Sequence, residues 1–212
     1  LEGIRTILIY PVAGVLLIGL IMLLINPFVS AINTGLNNFL SSMSEVNKVI
    51  LGAILAGMMS VDLGGPVNKA AYTFGTGMLA EGHYEIMAAV MIGGMVAPLA
   101  IALLATFFPK KLPKKERQAG LLNYVMGLSF ISEGAIPFAS ADPIRVLPAC
   151  IVGSAVSGAL SMAFNCTLMA PHGGIFVLPL IGNWFWYVVA LAIGSVIAMG
   201  IMAALKKNVW EK

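Results

Sequence analysis

The stretch GLSFISEGAIPFASADPIR, residues 127–145, holds a glutamate, an aspartate, an arginine and two prolines. It lies in a chain that otherwise avoids charge. The 212 residues are 59% hydrophobic and 10% charged, with a mean hydropathy of +0.96, whereas soluble domains carry about 25% charged residues. That composition defines an all-α integral membrane protein. The net charge of +3 comes from a few basic loops and carries no nucleic-acid signal. Cys150 and Cys166 sit in apolar runs and read as small core side chains. Their spacing suggests neither a metal site nor a disulfide framework, and no cofactor motif is present. Residues 1–5 begin with Leu1 and lack a signal-peptide layout, so the chain reads as an internal piece.

Four runs are long enough to span a bilayer: residues 7–30, 86–108, 146–170 and 184–205. A hydrocarbon core of about 30 Å needs about 20 helical residues. Trp184, Trp186 and Tyr187 open the last run as an aromatic belt, and Lys206 and Lys207 close it as snorkelling lysines. The loop PKKLPKKER, residues 109–117, sets five basic residues against Glu116 and is expected in the cytoplasm, as are the C-terminal lysines. An even number of crossings must then join them. Runs 146–170 and 184–205 supply two, so residues 119–141 are expected to form a re-entrant hairpin turning at SEGAIP. Irregular backbone at membrane depth persists only beside protein or a water-filled cavity, which places Glu133 next to a cavity.

A second interruption comes earlier. Residues 49–61 form an apolar run of 13 that reaches only about 20 Å as a helix. It then meets DLGGPVNKAAYTFG, residues 62–75, where Gly64-Gly65-Pro66 breaks the helix and Asp62, Asn68 and Lys69 add polar groups. The loop EGHYE, residues 81–85, has no Lys or Arg and fits the outside. Residues 33–48 place Leu36, Phe39, Leu40, Met43 and Val46 at helical spacing, which reads as an amphipathic interfacial helix or as a solvated loop. A third polar island, NCTLMAPHGGIF at 165–176, sets Asn165, Thr167 and His172 beside a Pro-His-Gly-Gly break.

Paired interrupted segments mark a transporter's binding site, because half-helix ends leave N–H and C=O groups for a polar ligand. Each intramembrane charge costs about 2.5–3.5 kcal/mol on the insertion scale and so implies a partner or a function. The candidate substrate-binding residues are Asp62, Asn68, Lys69, Asn165 and His172, with Glu133 as the acting carboxyl. Two readings stay open for several of them. Lys69 either neutralises Asp62 or meets a ligand. Glu133 is either a neutral acid hydrogen-bonded to its hairpin or an acceptor for a ligand hydroxyl, the favoured reading. His172 either packs or reaches the ligand. Asp142 and Arg145, three apart, are read as an ion pair at a helix start in preference to ligand contacts.

MMSVDLGGPVNKAAYTFG, GLSFISEGAIPFASADPIR and APHGGIF together resemble the fructose-type enzyme IIC of the bacterial phosphoenolpyruvate-dependent sugar phosphotransferase system. The similarity runs over nearly the whole chain and covers the C-terminal, substrate-site-bearing part of that family. The family's further N-terminal half, associated with homodimer formation, is not included. The resemblance implies a multi-pass protein of the bacterial cytoplasmic membrane, residues 1–212 forming one membrane domain. Its implied partners are a sugar, fructose by default, and the phosphorylated enzyme IIB supplied by the upstream phosphotransferase proteins. The membrane part is then one subunit of a sugar phosphotransferase and is not catalytic alone. It gives Glu133 the task of orienting the acceptor hydroxyl and taking its proton. The rival reading is an ion-coupled secondary transporter with Asp62 and Glu133 as ion sites.

Overall fold

Long apolar runs leave the backbone no hydrogen-bond partner but itself, and helix is the open-chain solution. The computed structural model describes residues 9–41 and 45–209. Over these the chain is mostly helical, with short 3₁₀ segments, one two-residue strand pair and irregular turns between them, as at 59–65 and 169–173. Contacts divide the chain into Leu1–Met43 and Ser44–Lys212, described separately.

The first unit is helix α1, Tyr10–Ser41, whose segment Tyr10–Phe28 is long and apolar enough to cross a membrane. Its Leu16, Leu17, Leu23 and Leu24 are exposed, a surface suited to lipid rather than water. Pro27 sits inside the helix. The interfacial helix expected at 33–48 overlaps the end of α1 and the start of α2, Glu45–Met58. Residues 42–44 and most of its side chains lie outside the described residues.

The second unit is organised around α4, Tyr84–Phe107. It is apolar on all sides, and a helix of that kind belongs in a core. Residues 86–102 are buried without interruption. Helices α2, α5 (Lys114–Leu128), α7 (Pro143–Ala163) and α8 (Trp184–Leu205) pack on it. Between α2 and α7 the backbones nearly touch: a Cβ on Gly158 would strike the Gly52 carbonyl oxygen and Ala56 Cβ. Small residues permit this approach, which gains dispersion contacts where burial against lipid gains little. Serines add hydrogen bonds across the seam. Ser154 Oγ donates to the Gly93 carbonyl at 2.8 Å, so its 2.7 Å contact with Ser60 must be donated by Ser60. Ser157 Oγ likewise donates to the Ala190 carbonyl at 2.9 Å.

Among the described residues, four helices are of membrane length: Tyr10–Phe28 within α1, α4, α7 and α8. One expected span is shorter than its hydropathy suggests. The run 146–170 stops being helical at Ala163, because Asn165 takes a left-handed backbone (φ 51°) and the Cys166 N–H turns back to the Ser161 carbonyl. Asn accepts that conformation at a helix end more readily than most residues. The chain then forms β1, Thr167–Leu168, paired antiparallel with β2, Ile181–Gly182. Asn183 fastens the two ends by donating to the carbonyls of Phe164 and Asn165, both at 3.0 Å. The aromatic belt also needs correction. Trp184 and Trp186 are about half exposed, but Tyr187 is fully buried with its hydroxyl 3.6 Å from Met95 Sδ. Both cysteines are buried, Cys150 within α7 and Cys166 just beyond it.

Residues 114–142 double back. After α5 come a 3₁₀ turn, Ser132–Ala135, and the short helix α6, Ile136–Ala141. Pro113 and Glu116 at the start of α5 and Ala141 and Asp142 at the end of α6 line one cleft, so the hairpin enters and leaves at the same end of the unit. Asp142 accepts hydrogen bonds from Arg145 Nη1 at 3.1 Å and from Lys206 Nζ at 2.9 Å. The ion pair read from the sequence is thus joined by a third member. Partial burial alone would raise the Asp142 pKa, but the Lys206 and Arg145 cations outweigh it and hold the carboxyl below its usual range.

Candidate functional site

Three breaks in helix meet at one place. The first follows α2, where Leu63 and Gly64 have positive φ (50° and 113°) and Pro66 restarts the chain as α3, Pro66–Ala80. Proline suits a first helical position because its missing N–H would be unpaired there anyway. The Asp62 carboxylate accepts from the backbone N–H groups of Val67 at 2.7 Å and Asn68 at 2.9 Å. That satisfies exposed donors and sets negative charge on the positive end of the helix. The second break is the hairpin turn, where Phe130 has φ 62° and is driven inward against Gly94. The third is His172-Gly173-Gly174, with φ 127° and 58° at the two glycines.

These breaks enclose a cavity of about 170 Å³ lined by Met59, Asn68, Lys69, Tyr72, Phe130, Ser132, Glu133 and His172. Lys69 Nζ stands 3.6 Å from Glu133 Oε1, with both side chains about half exposed. This is ion-pair range but too long for a good hydrogen bond. An exposed pair of this kind adds little stability, so a ligand can enter between the two groups at small cost. Opposite them the rings of Phe130 and His172 lie 4.9 Å apart, with Tyr72 6.2 Å from Phe130. The cavity therefore combines a charged side with an aromatic side, a combination suited to a small molecule bearing hydroxyls and a C–H face.

The structure brings together Asn68, Lys69, Glu133 and His172 from the sequence-derived set. It leaves out two. Asp62 caps α3 and faces a different surface cleft with Ile136 and Ser140. Asn165 is exposed at the end of α7. The pairing of Lys69 with Asp62 is replaced by pairing with Glu133, because Asp62 is turned toward the amides of α3. Glu133 is accordingly half exposed, and its cation comes from a segment 64 residues earlier in the chain. Met59, Tyr72, Phe130 and Ser132 were not singled out from the sequence. Tyr72 was legible in principle, since positions 68, 69 and 72 share one face of a helix.

Asn68 is 2% exposed, and its Nδ2 donates to the Met59 carbonyl at 2.7 Å and toward Ser132 Oγ at 3.4 Å. It ties the first break to the hairpin, leaving Oδ1 as the atom available to a ligand hydroxyl. Asn68→Ala leaves a buried carbonyl unpaired and is expected to cost about 1–3 kcal/mol of stability. Thermal unfolding in detergent checks this; an unchanged midpoint would mean that the amide does not hold the two segments together.

Helices of membrane length among the described residues, together with a polar pocket made by broken segments, define a multi-pass membrane protein. The chain belongs to the family described as Phosphotransferase system, EIIC, whose model matches residues 1–153, and it is a multi-pass protein of the cytoplasmic membrane. It is 47% identical over 213 residues to the fructose permease IIC component of Bacillus amyloliquefaciens, covering 100% of this chain and 70% of that protein. It is 49% identical over 215 residues to the fructose-specific EIIB'BC component of Escherichia coli K12, covering 98% and 38%. Against the fructose-specific EIIABC component of Bacillus subtilis the identity is 47% over 213 residues, covering 100% and 34%. The chain thus spans about a third of the length of these multi-component relatives. No solved structure matches it.

Proposed function

We propose that the chain is the sugar-binding membrane part of a phosphotransferase permease, with a ketose, fructose first, as its substrate. The observation that carries this is the Lys69–Glu133 pair held across a cavity made by breaks in separate segments. In this reading Glu133 accepts the hydrogen bond of the sugar hydroxyl that will receive phosphate. As the oxygen–phosphorus bond forms and the bond to the carrier breaks, the hydroxyl proton passes to the carboxylate. Phosphoryl transfer asks mainly for alignment and charge stabilisation. The Lys69 ammonium lies close enough to serve the second need, while Phe130, Tyr72 and His172 supply a wall for the sugar ring. The donor is a phosphorylated IIB component. Relatives whose names join the membrane part to IIA and IIB components support it over ion coupling. In full-length form the protein works as a homodimer, as the resemblance implies.

The basic loop 109–117 and the residues after α8 face the cytoplasm. Their adjacency supports this: Lys111 Nζ donates to the Lys206 carbonyl at 2.6 Å and the Val209 N–H to the Lys110 carbonyl at 2.8 Å. Two measurements test the reading. Membranes carrying the intact protein should accumulate fructose as its phosphate only when phosphoenolpyruvate and the soluble phosphotransferase proteins are supplied, and uptake driven by an ion gradient alone would overturn it. Cysteines placed at positions 114 and 207 should be labelled only from inside, and one in residues 81–85 only from outside.

A further inference from the structure

A second cleft shares no lining residue with the proposed sugar site. A cleft of about 340 Å³ opens where α5 begins, α6 ends, α7 begins and α8 leaves its span, and its charged lining is Lys111, Glu116, Asp142, Arg145, Lys206 and Lys207. We propose that this cleft binds the phosphate headgroup of an anionic phospholipid. Three observations support it.

The first is charge. Asp142 is satisfied by two cations of its own, Arg145 and Lys206, so among these residues Glu116 alone stands against Lys111 and Lys207. The second is unused donor capacity. Among the described residues Arg145 donates to Asp142 through Nη1 alone, leaving most of a guanidinium's five donors, and Lys111 Nζ, with three protons, donates to the Lys206 carbonyl. Exposed Lys207 has no ion pair with a described residue. Planar and pointed donors converging on one cleft are the chemistry that phosphate oxygens accept.

The third is depth. The cleft lies where Pro143–Ala163 starts and Trp184–Leu205 ends, which is headgroup level for a protein with these spans. Ile144, next to Arg145, is 83% exposed and offers an apolar surface for the first part of an acyl chain. Basic pockets between membrane helices at this level take anionic headgroups. A soluble phosphate shares the headgroup's chemistry but has no use for the apolar surface beside it, so the inference commits to lipid.

The test uses the full-length protein in neutral detergent, exchanged into phosphatidylcholine nanodiscs with or without phosphatidylglycerol. Native mass spectrometry should find one phosphatidylglycerol retained in preference to phosphatidylcholine. Thermal unfolding should show protection by the anionic lipid. Lys207→Gln, an exposed substitution, should weaken the preference about fivefold, the equivalent of about 1 kcal/mol per cation near an anionic surface, without changing the unfolding midpoint in phosphatidylcholine. Lys111→Gln should weaken it similarly. Equal retention of the two lipids, or an unchanged preference in both variants, would overturn the proposal. So would equal protection by millimolar inorganic phosphate, which would assign the cleft to a soluble phosphate, or displacement of the lipid by phosphorylated IIB domain, which would assign it to a protein surface.

Discussion

Glu133→Gln should slow phosphoryl transfer to bound sugar by about 10²–10⁴-fold, the range for a positioned general base. Glutamine keeps the length of the side chain and an oxygen that accepts a hydrogen bond, so sugar affinity should fall much less. The geometry makes the contrast sharp. Glu133 sits at a hairpin tip, and Gly64 leaves it room: a Cβ there would lie 2.8 Å from Glu133 Oε1. The substitution therefore removes a charge and a proton acceptor without a change of shape. Lys69, 3.6 Å away, loses its partner, but both groups are half exposed and solvent compensates. The measurement is paired on the same membranes, equilibrium binding of labelled sugar beside transfer from phosphorylated IIB. Near-normal transfer by the glutamine variant would reduce Glu133 to a binding group.

Gly174→Ala should cost about 10²-fold in transfer, the penalty for displacing a group in a site by about 1 Å. Gly174 has φ 58°, and a Cβ at that position would strike the Leu128 carbonyl oxygen, with Phe130 N at 2.9 Å. Both neighbours are backbone of the hairpin and cannot rotate away. The loop must retreat, taking His172 off the Phe130 ring on which it rests. Since residues 172–174 lie outside the membrane-length helices, the protein should still insert. Gly200→Ala, where a Cβ meets nothing within 4 Å, is the matched control. Wild-type affinity and transfer in the Gly174 variant would show that the loop does not position the site.

Much of this site could be read from the chain because membrane burial makes charge conspicuous. Glu133, Lys69 and His172 stood out for lying beside glycine and proline in apolar surroundings, and they share one cavity. Asp62 stood out on the same ground but caps a helix. Composition cannot separate the two uses, since a carboxylate that satisfies backbone amides and one that awaits a ligand have the same sequence context. The Lys69–Glu133 pairing links distant segments, and no local spacing encodes it. Phe130 was hidden for a different reason: its inward turn depends on a left-handed backbone and on Gly94, 36 residues earlier, leaving space for the ring. The spans of α4 and α8 were legible to within a turn, but α1 continues past the expected end at Ser30 to Ser41, and α7 stops at Ala163, where hydropathy runs on and Asn165 ends the helix.

The burial of both native thiols has an experimental consequence. Cys150 lies in the core, and loss of solvation pushes the Cys166 thiol up to about 11, well above neutral pH, where the reactive thiolate is scarce. Alkylating reagents should therefore pass over the unmodified chain. A cysteine introduced at a loop or at the mouth of the cavity lined by Lys69 and Glu133 would be read against a silent background, with no need to remove Cys150 or Cys166 first.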